Sequence, residues 1–250
     1  MQQTPYKFKQ IFWQTWRDLV FVHWEVDPLA LAKRLPPQLE PELFNGKAYV
    51  GLVPFRMTDI RHTHLPAVPG TSETLETNVR TYVKRRGAES EPVPAVWFFS
   101  LEAENALAVL VARLGFGLPY HKAKMSFEQQ NSSDGRYWIT ASSTRKWPPP
   151  LPGESLVEVE YPTNAKAAPA TPGTLEHFLI ERYALYAVKR GRLVYAQVSH
   201  DPYRVIPGKL LKVNPQLVEA AGLPAPAPDS RALVHRAEDV VVRIGKVQRL

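Results

Sequence analysis

Apolar and polar residues alternate along much of this chain in short runs that end at proline or glycine. Residues 73–84 show the pattern most clearly. Leu75, Thr77, Val79, Thr81 and Val83 fall on one face of an extended segment, and Glu76, Asn78, Arg80 and Tyr82 fall on the other. Branched and aromatic residues predict further strands over 18–26, 47–57, 93–101, 120–129, 136–143, 186–189, 193–199 and 233–247. Asn45-Gly46, the 131–135 segment and Arg190-Gly191-Arg192 supply the hairpin turns between them. Residues 65–72, 146–153 and 161–173, rich in proline with glycine, alanine or threonine, read as loops.

Helical signals are fewer and short. Phe12, Trp13 and Trp16 make one apolar side over 9–16, which predicts a first helix there. Asp27-Pro28 pairs an N-cap with a first-turn proline and opens a helix that stops at Pro36-Pro37. A third helix, over 105–116, ends at Gly117 and Pro119. Thr174 caps another that runs to 183, and Asn214-Pro215 opens the last, ended by Gly222. No repeat or heptad interrupts the pattern. Roughly ten strands and four or five short helices make a mainly β chain (a β-rich α+β class), with one large antiparallel sheet, curled or closed, in a single domain over 1–250.

Composition narrows the chemistry. The chain has 250 residues, 44% hydrophobic and 22% charged, so it can bury a full core. It contains no cysteine, which excludes disulfides, thiolate metal sites and a cysteine nucleophile. Its 24 prolines are about twice the usual ~5% and favour short elements with stiff joints. The start lacks a signal-peptide pattern, and the longest nearly uncharged apolar stretch, 106–111, is far too short to span a bilayer. A soluble cytoplasmic protein with no membrane partner is expected. The net charge of +7 raises the question of nucleic acid, but the one dense basic run, Lys84-Arg85-Arg86, precedes Gly87 as a hairpin tip rather than forming a stripe. Nucleic acid is therefore not the expected partner, and self-association is left open.

Seven segments in order carry a resemblance: HWEV…LPPQL at 23–39, GKAYVGLVPFRMTDIR at 46–61, ETNVRTYV at 76–83, VWFFSLEA at 96–103, ARLGFGLPYHKAKM at 112–125, TLEHFLIERYALYA at 174–187 and SHDPY at 199–203. The chain resembles the YqjF-like family of uncharacterised bacterial proteins, which is similar, more distantly, to the acetoacetate decarboxylase-like superfamily. That resemblance implies a cone-shaped antiparallel β-barrel with an internal ligand cavity. It also implies a strand glutamate, matched here by Glu76. The Schiff-base lysine of acetoacetate decarboxylase lies in a Gly-Tyr-Pro-Lys-Lys run. The similar segment here is Gly117-Leu118-Pro119-Tyr120-His121, which puts Tyr120 and His121 where paired lysines stand.

The candidate site follows from these readings. Glu76 and Arg80 on one strand face can hold a carboxylic acid and manage a proton, with Asn78 between them; the competing reading is a solvated polar face with cross-strand ion pairs. Glu76 and His121 are the candidate catalytic residues; Arg80, Asn78, Tyr120, Met125 and His200 are the candidate ligand contacts. On the 120–129 strand His121, Ala123, Met125 and Phe127 form the apolar, inward face, while Lys122 and Lys124 share the opposite, wet face. His62 and His64 are spaced to face one way on a strand, but no third ligand has suitable spacing, so no metal is expected. No cofactor is expected either: nucleotide loops and serine-nucleophile elbows are missing. The expected ligand is a small organic acid. Binding without turnover, an enzyme of lyase or hydrolase type acting on a small carboxylate or keto acid, and a basic-surface binder of nucleic acid or protein remain the alternatives.

Overall fold

The computed structural model describes residues 8–64, 66, 72–133, 135–149, 152–224, 226 and 231–250. The loop expected at 65–72 thus lies largely outside the described residues, as do Asp134 and residues 150 and 151 of the other loops. Strands β1 (Gln10–Arg17) and β2 (Val20–Val26) lead into helix α1 (Pro28–Ala32) and then β3 (Leu39–Pro41), β4 (Ala48–His62), β5 (Thr74–Arg85) and β6 (Ala95–Ala103). Helix α2 (Ala106–Phe116) connects β6 to β7 (Tyr120–Asn131), followed by β8 (Arg136–Trp147), β9 (Glu154–Pro162) and the two-residue β10 (Ala168–Pro169). After α3 (Leu175–Ile180) come β11 (Ala184–Lys189), β12 (Arg192–Ser199) and β13 (Arg204–Asn214). Helix α4 (Gln216–Ala220) and strands β14 (Leu233–Ala237), β15 (Val240–Gly245) and β16 (Gln248–Arg249) end the chain.

Local chemistry sets many of these boundaries. The Asp27 carboxylate accepts from the Leu29 and Ala30 N–H groups, both at 3.1 Å, and Pro28 occupies the first turn of α1. Asn45 and Gly46 both take positive φ, 50° and 79°, as a two-residue hairpin turn requires, and Phe44 pairs with Lys47 across it. The 9–16 segment departs from expectation, because it is strand β1 and not a helix. Its aromatic spacing fits either period, and pairing decides: β1 lies antiparallel between β4 and β15.

The strand pairings close on themselves. From β4 the ring passes through β1, β15, β12, β11, β6, β7, β8, β9, β13, β14 and β2 and returns to β4. The sheet is not wholly antiparallel as expected, since β6 runs parallel to both β7 and β11. A parallel neighbour needs a crossover, and α2 provides it between β6 and β7. Strand β5 pairs with β4 on one side and β6 on the other, so it spans the ring and divides the interior in two.

Each compartment has its own core. One gathers Leu19, Phe55, Leu101, Leu185 and Val198. The other gathers Val22, Leu52, Val79, Ile139 and Val159. Strand β5 is therefore buried on both faces, its Glu76 row turned to the first compartment and Val79 to the second. No helix among the described residues is long and apolar enough to cross a membrane.

Candidate functional site

The period of two along β5 places Glu76, Asn78 and Arg80 in one row facing the first compartment, and all three are buried. The Tyr120 hydroxyl donates to Glu76 Oε2 at 2.6 Å, and Asn78 Nδ2 donates to Glu76 Oε1 at 3.2 Å. Burial pushes the Glu76 carboxyl up to about 7; the bonds from Tyr120 and Asn78 pull it back, and the Glu102 charge adds a smaller upward push. Near neutral pH this acid is divided between its two protonation states, which is the condition for accepting or delivering a proton.

The cations beside it differ in how their charge is met. Arg182 is paired with Glu42, its Nε donates to the Phe178 carbonyl at 2.7 Å, and its guanidinium lies 4.1 Å from the Phe178 ring centre. Arg80 has no carboxylate partner among the described residues. Its Nη2 donates to the Leu179 carbonyl at 3.1 Å, and Phe21 faces the guanidinium at 5.1 Å. Its Nε is buried without an acceptor, and Asn78 Oδ1 is buried without a donor. A desolvated cation with a free N–H and an amide oxygen awaiting a donor form an incomplete polar set.

These groups border a cavity of about 90 Å³. Its polar lining is Gln14, Glu76, Asn78, Arg80, Tyr120 and Arg182, and Trp16, Phe98, Leu101, Leu185 and Tyr203 are among its apolar walls. The polar row of β5 is thus interior rather than a solvated face. Tyr120 joins it through its bond to Glu76. His121 does not, because successive strand residues point to opposite sides. Its side chain is buried away from the cavity, where its Nδ1 lies 2.7 Å from the Pro148 carbonyl oxygen. Burial, with the Arg145 charge second, lowers its pKa to about 4, so the neutral ring donates that bond. Beside it Arg145 forks onto Glu102 at 2.9 and 2.5 Å, a closed ion pair.

Met125 lies across from Ser143 and does not line the cavity. His200 stands one layer behind it, with its ring centre 4.3 Å from that of Tyr203 and 4.7 Å from that of Tyr183; burial lowers its pKa to about 4. Lys122 and Lys124 are exposed. A bulge does fall between Lys122 and Ala123 in the pairing with β8, yet it leaves Lys122 outside. Among the described residues no lysine lines the cavity. His62 ends β4, and His64 follows in a turn with its N–H donating to His62 Nδ1 at 3.3 Å; among the described residues no third metal-binding side chain joins them.

Three cavity residues are not foreseeable from local sequence. Gln14 and Trp16 belong to the segment whose aromatic spacing imitates a helix. Arg182, next to α3, reads as a complement to a helix dipole until Glu42 from a distant loop is seen to hold it. The pattern DUF2071, described as an uncharacterized conserved protein, matches residues 13–241. The chain is 33% identical over 229 residues to "Uncharacterized protein YqjF" of Bacillus subtilis, covering 91% of this chain and 88% of that one. Among solved structures it is similar to the enduracididine biosynthesis enzyme MppR complexed with pyruvate, at 16% identity and a TM-score of 0.63, covering 99% of this chain and 93% of that one. It is also similar to acetoacetate decarboxylase of Legionella pneumophila, at 12% identity and a TM-score of 0.60, covering 99% and 92%. At these identities the structural likeness speaks for the fold.

Proposed function

The chain belongs to the DUF2071 family of uncharacterized conserved proteins, and for this member we propose a cavity that binds a small organic acid, with Arg80 as its anchor and Glu76 as its proton-handling group. The observation that carries this reading is Arg80: a buried cation at the cavity wall with no carboxylate partner among the described residues and a free Nε–H. An unpaired charge away from water is costly, and a ligand carboxylate would complete it. Asn78 Oδ1 adds a place for a hydroxyl or other donor on the same ligand. The pyruvate complex among the proteins of similar fold supports the size and chemistry of the ligand.

Turnover is the second reading, and Glu76 favours it. As a carboxylate it can remove a proton from the carbon next to a ligand carbonyl, and as an acid it can return that proton. This chemistry uses no imine. Borohydride treatment in the presence of acetoacetate is therefore expected to leave the intact mass unchanged, since no lysine amine lines the cavity among the described residues. A stable adduct at Lys122 or Lys124 would reinstate the Schiff-base route.

Binding is tested by thermal unfolding against a panel of small carboxylates, 2-oxo acids and hydroxy acids. A ligand at a hundredfold its Kd stabilises the native state by about 2.7 kcal/mol, a rise of roughly 5–10 °C in Tm for a chain of this size. A panel in which no acid raises Tm would contradict the proposal. Exchange of solvent deuterium into the carbon next to the carbonyl of a bound acid separates turnover from binding alone.

A further inference from the structure

We propose that the acid bound here carries an apolar tail of about four carbons, lodged in a second chamber beyond Tyr120; this rests on the acid-binding reading above. A space of about 100 Å³ adjoins the cavity. Four residues, Gln14, Met57, Tyr120 and Ile244, line both. The two spaces differ in chemistry. The inner one holds Glu76, Arg80 and Arg182, whereas the outer one has no charged side chain among its described lining residues. Phe12 and Ile60 form one side of it, Ala103 of β6 another, and Ala112 and Phe116 of α2 its cover.

This polarity fixes the direction of the ligand. A carboxylate in the outer chamber would meet no cation, so the acid head belongs against Arg80 and the tail under α2. Size sets the length of the tail. An apolar cavity of ~150 Å³ accepts the six carbons of benzene, or about 25 Å³ per carbon. By that measure the inner space takes a carboxyl group and its neighbouring carbon, and the outer space takes about four carbons more. Tyr120 lines both chambers and donates to Glu76, so the acid–base group stands at the seam between head and tail. That seam is where the proton next to a 2-oxo group would lie. The class singled out is the straight-chain 2-oxo acids longer than pyruvate.

Titration of the full chain with pyruvate, 2-oxobutanoate, 2-oxopentanoate, 2-oxohexanoate and 2-oxodecanoate tests this. Each buried methylene tightens binding about fourfold, so 2-oxohexanoate is expected to bind about 60-fold more tightly than pyruvate, with no further gain at ten carbons. In Ala112→Phe, whose ring fills the outer chamber, the ratio of the two affinities is expected to fall at least tenfold, with the melting temperature checking that the variant folds. Pyruvate binding without any gain from longer chains would overturn the second chamber and leave the acid site standing. A gain that survives unchanged in folded Ala112→Phe would overturn its location. Failure of every acid to bind would overturn the acid site and the tail together.

Discussion

Relative to a Glu76→Gln variant, the wild-type protein is expected to lose about 3 kcal/mol of stability as the pH rises from below 4.5 to above 7. Burial is the main cause, because it penalises the charged carboxylate and raises its folded pKa from 4.5 to about 7. In the unfolded chain the same carboxyl titrates near its ordinary value. Below that value both states hold the proton and the stability is full. Between the two values only the folded state holds it, so stability falls with rising pH. Above about 7 both states have released it and the loss is complete. Glutamine keeps the shape without titrating; its one oxygen accepts from Tyr120 or Asn78, and its amide N–H donates to the oxygen of the other, which turns to accept it. Urea unfolding of both proteins at pH 4 and pH 8 checks this. Parallel changes in their midpoints would show that Glu76 titrates like an exposed acid.

The same carboxyl shows what can be read from the sequence. Alternation along β5 places Glu76, Asn78 and Arg80 in one row, and a period of two is enough to see it. The row's surroundings are not legible locally. A strand with polar residues on one face usually turns that face to water. Here β5 crosses a closed ring, so both of its faces meet a core. That burial comes from strands β11, β12 and β15, far along the chain, and it turns an ordinary carboxylate into one poised near neutrality.

The β7 strand gives the converse lesson. Of its apolar face, His121, Ala123 and Phe127 are buried and Met125 half-buried, and Lys122 and Lys124 are exposed. Alternation separates Tyr120 from His121, but it also gives Tyr120 the side of the exposed Lys122 and Lys124, and only its place at the first residue of β7 brings it to Glu76. Tyr120 therefore reaches Glu76, while His121 joins the Glu102–Arg145 pair next door. Strand β1 is hidden for another reason. Phe12, Trp13 and Trp16 satisfy a helical side, and only the need to fill the gap between β4 and β15 makes them a strand.

Arg80→Met is expected to abolish most of the affinity for a small acid. Removing one member of a buried, hydrogen-bonded charge pair typically costs 2–5 kcal/mol, so binding should weaken by about 30-fold or more. The ligand-free variant should nevertheless melt no lower than the wild type. Arg80 is a desolvated cation with no carboxylate partner among the described residues, and methionine fills similar space without the charge. The paired cation Arg182 stays in place in this variant, so the remaining positive charge of the cavity is unchanged. Calorimetric titration of pyruvate at pH 7 into the two proteins gives the most immediate answer. Saturable binding to the wild type, lost by at least 30-fold in an equally stable Arg80→Met protein, is the result expected of a carboxylate site on β5. Equal affinity in both proteins, or no binding to either, would contradict it.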